Sequence, residues 1–321
     1  MVLIISIKYD VSTFDVVDWL EHQNKQYIMV YPNEYLHIEE LFLSNLNQTF
    51  NIFFNNKVLS ITSLWYRRGD INVDALQDRA SLILIKSQKK LMDQLMEEYK
   101  NFKLSVINTL INKLKYKIED YVLTQSINKI DILNDATKVG LKIPETIITS
   151  SKSKLTNFSI KHNNKIITKP ISDAIFLIEN KHVFYTYTSK IEDLQNVPSK
   201  FFPSLFQQMI NKIFELRIFF LKNQFYSAAI FSQQDQKTKV DFRNYNMEKP
   251  NRYVPFRLPK CIERKILKLM KKLKIDSCSI DMIVDKNGDY YFLEINPVGQ
   301  YGMISIPCNY YLDEKISECL M

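Results

Sequence analysis

Asp281, Glu294 and Asn296 are the residues of this chain whose types and spacing are best suited to chemistry. They lie in SCSIDMIVDKNGDYYFLEINPVGQYG, residues 277–302, which parses as two strands joined by a tight turn. Ile280 to Val284 is an apolar, largely β-branched run, 285–288 is turn chemistry (Asp-Lys-Asn-Gly), and Tyr290 to Ile295 returns to strand. Glu294 and Asn296 are two residues apart and so share a face. With the turn near Asn287-Gly288, Asp281 is expected opposite Glu294, and the three oxygen-bearing side chains converge. Hard oxygen ligands of this kind suit magnesium, which keeps several waters and takes further ligands from substrate phosphates. A solvated hairpin edge explains Asp285 and Asp289. It explains poorly an acid inside SIDMIV or inside YFLEIN.

The other informative side chains are arginines and two lysines. Arginine is the scarcer base, with eight residues, and its planar fork matches carboxylate or phosphate. Arg217 follows Glu215 by two residues in FELRIFFL, and Arg243 follows Asp241 in VDFRNY. An acid and an arginine on one face of a buried strand pair with each other or bind something. Arg67-Arg68 follows Trp65 and Tyr66, placed either to bind an anion or to grip an interdomain acid. Lys129 opens a helix ended by Gly140, and Lys169 ends a strand before Pro170.

The elements that must position these groups form an α/β chain. A strand at Val2 to Ile7, a helix at Ser12 to Gln23 capped by Ser12 or Thr13, and a strand at Gln26 to Tyr31 open it. A hairpin turns across Asn55-Asn56, a long helix runs from Gln77 to Asn101, and Leu104 to Lys115 is a further helix. The second part carries strands at Thr146 to Thr149, Lys165 to Lys169, Phe176 to Asn180, His182 to Thr188, Phe206 to Ile210, Phe214 to Leu221 and Phe225 to Ser232. A short capping segment spans Lys152 to Ile160. Pro259 to Lys274 is a basic amphipathic helix whose lysines read as a solvated face. The expected division is 1–122, 123–205 and 206–321.

Composition narrows the class. The 321 residues suffice for two or three packed subdomains, and 46% hydrophobic with 24% charged residues is ordinary for a globular protein. No apolar run approaches a membrane span, and no basic region precedes the first strand as in a signal peptide. Four cysteines without a C-x-x-C pair are expected to be reduced thiols in a cytoplasmic protein. The net charge of +8 suits an anionic partner, although Lys, Asn and Ile enrichment throughout accounts for part of it; neither nucleic acid nor membrane is expected as partner. Five glycines, with no G-x-x-x-x-G-K-[ST] and no G-x-G-x-x-G, set aside P-loop and dinucleotide-binding readings.

The D-x-x-x-D run followed by FLEINP resembles the metal-binding hairpin of ATP-grasp ligases, which use ATP and magnesium to join a carboxylate to an amine or hydroxyl. The helix-opening lysine, the strand-ending lysine, the hinge FQQMI and the acid-x-Arg pair appear in that family's order over residues 125–306. The resemblance implies an ATP-grasp fold: an N-terminal α/β pre-grasp domain and two subdomains that clamp ATP. It implies Lys129 and Lys169 near the nucleotide, and backbone groups of Gln207, Gln208, Met209 and Ile210 at the adenine edge. Glu215 would hold ribose or position a partner, and Asp281, Glu294 and Asn296 would carry magnesium. One departure is a phosphate-covering loop, 170–175, without glycine.

LWYRRGD, ELR, DFR and EINPVGQYGMISIPCNYYLDEKI look like the ligases that macrocyclise ribosomally made peptides, the microviridin-type graspetide maturases, closest to the grasp-with-spasm group. That likeness implies ester or amide bonds between Asp/Glu and Ser/Thr/Lys side chains of a precursor peptide with leader and core. It implies Arg217 and Arg243 as catalytic, phosphate or substrate contacts, with Asp241, Arg67 and Arg68 on the substrate side. It further implies a leader groove on the central subdomain and a homodimer. Two alternatives share the sequence: an amino-acid ligase adding glutamate to a protein tail or small carboxylate, and a silent peptide- or nucleotide-binding protein.

Overall fold

The computed structural model describes residues 1–38, 41–43, 48–74, 89–119, 121–171, 176–179, 182–185, 188–191, 193–233 and 251–321. It divides into two compact units, Met1–Ser126 with Tyr311–Met321, and Ile127–Tyr310.

The first unit is built on β1 (Val2–Ile5), α1 (Val11–His22) and β2 (Tyr27–Val30). Small strands follow: β3 (Tyr35–His37), β4 (Leu41–Leu43), β5 (Gln48–Phe50), β6 (Phe53–Phe54) and β7 (Lys57–Val58). Then come β8 (Ser63–Tyr66), β9 (Asn72–Asp74), α2 (Lys89–Lys113), β10 (Tyr116–Ile118) and α3 (Tyr121–Ser126). β10, β8, β1 and β2 pair in that order, all in parallel. β1 and β8 are the central pair and are buried throughout, which is why VLII and SLWY carry no alternation. The β6–β7 hairpin turns at Asn55-Asn56, both with positive φ as such a turn requires. The expected helix at Gln77 to Asn101 is described only from Lys89. From there it runs unbroken to Lys113, absorbing the second helix expected from Leu104. The cap of α1 is Asp10 rather than Ser12 or Thr13: both hydroxyls donate to the Asp10 carboxylate, which also faces Arg67 and Arg68.

The second unit opens with α4 (Lys129–Lys138), β11 (Thr146–Ser151), α5 (Lys152–Lys161) and β12 (Ile166–Lys169). β13 (Phe176–Glu179), β14 (His182–Tyr185), β15 (Ser189–Lys190), β16 (Lys200–Gln208), β17 (Lys212–Leu221) and β18 (Gln224–Phe231) follow. It closes with β19 (Arg252–Pro255), α6 (Lys260–Leu273), β20 (Ser277–Asp285), β21 (Tyr290–Asn296) and α7 (Gly302–Ser305). One sheet has the order β11-β16-β12-β15, and the other has the order β19-β18-β17-β20-β21. β20 is buried at every position, since α6 lays Ile262, Ile266, Leu269 and Met270 inward at helical spacing. Asn128 caps α4 by accepting from the Ile130 and Asp131 amides, and Gly140 follows its end at φ +83°.

The last helix, α8 (Leu312–Glu318), belongs to the first unit, where it packs on α1 and accepts a Gln23 hydrogen bond at Ser317. A C-terminal division of 206–321 does not anticipate this, because the tail is reunited with a helix some three hundred residues earlier. No helix among the described residues is long and apolar enough to cross a membrane.

Candidate active site

Strand register sets three charged residues in one row. Arg217 on β17 lies opposite Asp281 on β20, and Asp281 lies opposite Glu294 on β21. Opposed residues of a sheet share a face, so all three side chains emerge together. Arg217 Nη1 donates to both Asp281 oxygens at 2.8 Å, and its Nη2 donates to the Gln300 carbonyl at 3.0 Å. Asn296 Nδ2 donates to Asp281 Oδ2 at 3.3 Å. The expected Asp281–Glu294 pairing is therefore in place, with an arginine from the next strand added. Asp285 and Asp289 have the bland roles: Asp285 Oδ1 accepts the Asn287 and Asp289 amides and builds the turn, and Asp289 pairs with Lys142 at 2.7 Å.

Two lysines converge on Glu294 from elsewhere in this unit. Lys129, the first residue of α4, has Nζ at 3.8 Å from Glu294 Oε2, and Lys169, the last residue of β12, at 3.9 Å. These separations are ion-pair contacts rather than hydrogen bonds. Two buried carboxylates thus stand among three cations, which is how charge persists away from water.

Glu215 shares the Arg217 face two residues away and is 5% exposed. Its Oε1 accepts from Lys212 Nζ at 2.8 Å and from Ser232 Oγ at 2.6 Å. Burial pushes its carboxyl pKa up, against the pull of Lys212 and Ser232. Sequence reading missed Lys212 and Ser232. Lys212 sits three residues before Glu215, a spacing without meaning on a regular strand, and Ser232 follows the end of a different strand.

In the hinge, β16 ends at Gln208, and Met209 and Ile210 lie beyond it. The Gln208 amide donates to the Glu145 carbonyl and the Met209 amide to the Lys165 carbonyl, both at 2.9 Å, so those two donors are spent within the unit. Gln207 is 1% exposed, its Nε2 bonded to Thr146 Oγ1. Arg67 grips acids of its own unit: it is fully buried, with Nε 3.2 Å from Asp10 and Nη1 3.8 Å from Glu119. Neither an interdomain acid nor an accessible substrate contact describes it. Arg68, 31% exposed, is the member of the pair that reaches solvent. Asp241 and Arg243 lie outside the described residues, as does most of the 170–175 loop.

The segment after β21 is drawn tight against β20. Ser279 Oγ, like Arg217, donates to the Gln300 carbonyl, at 3.1 Å. A Cβ at Gly299 would run into the Ser279 backbone nitrogen and side chain, whereas one at Gly302 meets open space. Gly299→Ala is therefore expected to cost about 1–3 kcal/mol by forced displacement of this segment. Gly302→Ala should leave the unfolding free energy within about 0.5 kcal/mol of the parent. Equal midpoints for the two variants would mean that the close approach at Gly299 does not matter.

Among the described residues no group of three or more His, Cys, Asp or Glu is arranged to hold a metal. The candidate set is of another composition, two carboxylates and an amide, all oxygen donors. Asp281 Oδ1, which accepts from Arg217, retains a lone pair, whereas Oδ2 accepts from both Arg217 and Asn296. That donor set fits a hard divalent cation whose remaining ligands come from water and phosphate.

No protein-family model matches the chain, and no curated protein sequence does. Solved structures do match it, end to end. The RiPP-associated ATP-grasp ligase of Chryseobacterium gregarium, in complex with ADP and a leader and core peptide, is 24% identical at TM-score 0.77, covering 99% of this chain and 94% of that one. The macrocyclase MdnC of Microcystis aeruginosa, bound with precursor peptide MdnA, is 25% identical at TM-score 0.74, covering 99% and 98%. The chain has the ATP-grasp fold. Within the ATP-grasp fold the likeness loosens to TM-score 0.51 and 10% identity for the RimK-domain ATP-grasp protein of Sphaerobacter thermophilus, at 99% and 98% coverage.

Proposed function

We propose that this chain is an ATP- and magnesium-dependent macrocyclase of a ribosomally made precursor peptide, joining Asp or Glu side chains to Ser, Thr or Lys side chains as esters or amides. The observation that carries the reading is the Arg217–Asp281–Glu294 row with Lys129 and Lys169 gathered on Glu294. Its setting supports it, an ATP-grasp fold whose well-matched structures hold ADP and precursor peptides. The less favoured enzyme is an amino-acid ligase, which would share the ATP site and differ in its acceptor.

Asp281, Glu294 and Asn296 would hold magnesium, which supplies charge neutralisation at the phosphates. Lys129 and Lys169 now balance Glu294 and would face the nucleotide phosphates. With magnesium held by these carboxylates, Lys129 and Lys169 would serve as counter-charges for phosphate, so no buried charge would be left uncompensated. Gln207, Gln208, Met209 and Ile210 would border the adenine, and Glu215 would position ribose or a partner side chain. Arg217 and Arg243, with Asp241, would orient the carboxylate being activated, and Arg68 would contact the substrate peptide. That carboxylate takes the terminal phosphoryl group of ATP, and a hydroxyl or amine of the same peptide then displaces phosphate, yielding ADP and phosphate overall. A cytoplasmic homodimer belongs to the same reading.

Intact mass of a candidate precursor, encoded beside the gene and ending in a tail rich in Ser/Thr and Asp/Glu, tests it. Incubation with enzyme, ATP and magnesium should remove about 18 Da per bond formed, with one ADP each. A mass gain that requires an added amino acid would indicate the intermolecular ligase, and no change would leave a silent binder. Arg243→Ala should lower condensation about 10²-fold while ATP affinity stays within a few-fold. Equal loss of ATP affinity would move Arg243 from substrate to phosphate.

A further inference from the structure

Helix α6 carries a feature that the Arg217–Asp281–Glu294 row does not use. Its apolar face is buried under β20, and beyond Glu263 in its first turn its outward face carries cations alone. At roughly 100° per residue, Lys260, Arg264, Lys268 and Lys271 fall within about 80° of the helix circumference, and all four are exposed. Lys260/Arg264 and Arg264/Lys268 are like charges four apart, and Lys268/Lys271 are three apart, so each pair works against the helix. Among the described residues only Lys260 of the four has an acid, Glu263 at 2.6 Å, while Lys272 to one side takes Asp135 at 2.6 Å. Arg264 donates only to the Lys260 carbonyl, and no acid among the described residues is in ion-pair range of Arg264, Lys268 or Lys271. A face shaped by solvation alone interleaves signs; this one does not.

A cavity of about 310 Å³ adjoins the start of the same helix. Phe225, Pro255, Phe256 and Tyr310 wall it, and Arg257 and Glu263 supply its polar edge. Glu263 belongs to the first turn of α6, so cavity and basic stripe are continuous. The cavity has room for one aromatic or aliphatic side chain, and the stripe offers three unmatched cations beyond it.

We infer that α6 and this cavity form a docking surface for an acidic stretch of the peptide substrate. An apolar side chain of that stretch sits in the cavity, and carboxylates lie along Arg264, Lys268 and Lys271. The inference rests on the macrocyclase reading, which gives the chain a substrate rich in Asp and Glu, and the charge of the stripe complements such a peptide. Docking here is separate from activation: these cations hold carboxylates that are not being joined, and so act on substrate affinity rather than on the chemical step.

The test uses a fluorescein-labelled synthetic peptide of alternating Glu and Ser with one central Phe, its Phe→Ser counterpart, and a labelled oligothymidylate. The full chain is compared with Arg264→Glu/Lys268→Glu/Lys271→Glu and with the corresponding triple Gln variant, whose exposed sites leave the core intact. Anisotropy should show the Phe peptide bound by the parent chain, about tenfold more weakly by the Glu variant, and more weakly as salt is added. The Gln variant should fall between, and the Phe→Ser peptide should bind less well than the Phe peptide. Equal affinity for the parent and the Glu variant, or no binding by the parent, overturns the inference. Tighter binding of the oligothymidylate, lost in the same variant, overturns it in favour of a nucleic-acid surface. Binding is read without ATP, so a chain that binds the peptide but condenses nothing counts against the macrocyclase reading alone. Condensation of a precursor at equal KM by parent and Glu variant counts against the docking surface alone.

Discussion

Glu294→Gln should abolish condensation, lowering turnover by at least about 10²–10³-fold, while the chain still folds and still binds peptide. The substitution keeps the shape of the side chain and removes one negative charge from the point where three strands and one helix bring Asp281, Lys129 and Lys169 together. Glu294 sits opposite Asp281, and Lys129 and Lys169 both lie within 4 Å of its Oε2. Without that charge a divalent cation held there would lose an anionic ligand, and the lysines lose the carboxylate that now balances them. Glu294 and both lysines are largely buried, so removing the carboxylate charge should also cost stability, about 1–3 kcal/mol, held below the figure for a close buried pair by separations of 3.8 and 3.9 Å. ADP release in a single turnover, with the thermal midpoint measured beside it, separates the two effects. Near-normal turnover in the Gln variant would sink the metal assignment, since a metal ligand cannot be neutralised without consequence.

What could be read in advance follows from how far apart in sequence the cooperating residues lie. The β20–β21 hairpin was legible because its turn, its apolar runs and its acids sit within 26 residues, and the turn position sets Asp281 opposite Glu294. The helix openings at Lys129 and the stop at Gly140 were legible for the same reason, since capping chemistry is local. Which acid answers Arg217 was not. ELR offers Glu215 two residues away, yet the guanidinium goes to Asp281, 64 residues on, while Glu215 is held by Lys212 and Ser232. Side chains on one strand face are spaced along it, whereas residues opposed across strands are closer, so cross-strand pairing decides. The inward turn of Arg67 and the return of α8 to α1 depend on packing between segments far apart in the chain, for which no local pattern exists.

Arg217→Met is the second large effect, and it is expected first as instability. Arg217 is 6% exposed, and its guanidinium makes three hydrogen bonds, two to Asp281 and one to the Gln300 carbonyl. Methionine fills much of the same volume but leaves the Asp281 carboxylate buried without its main counter-charge. Removing one partner of a buried pair costs about 3–5 kcal/mol, which for a unit of this size lowers the thermal midpoint by roughly 10 °C. Adding Asp281→Asn should recover part of that loss, because the orphaned charge is removed with its partner. The double variant also decides what the arginine is for. If it regains stability yet makes no bonds in a precursor, the Arg217–Asp281 pair serves the reaction and its stability is incidental. If a stable double variant condenses peptide at near the parent rate, the pair is scaffolding. The cation and substrate roles would then have to fall to Glu294, Asn296 and Arg243 alone. Lysine at 217 does not substitute for this experiment, since a single ammonium cannot reach both Asp281 oxygens and the Gln300 carbonyl in the same fork.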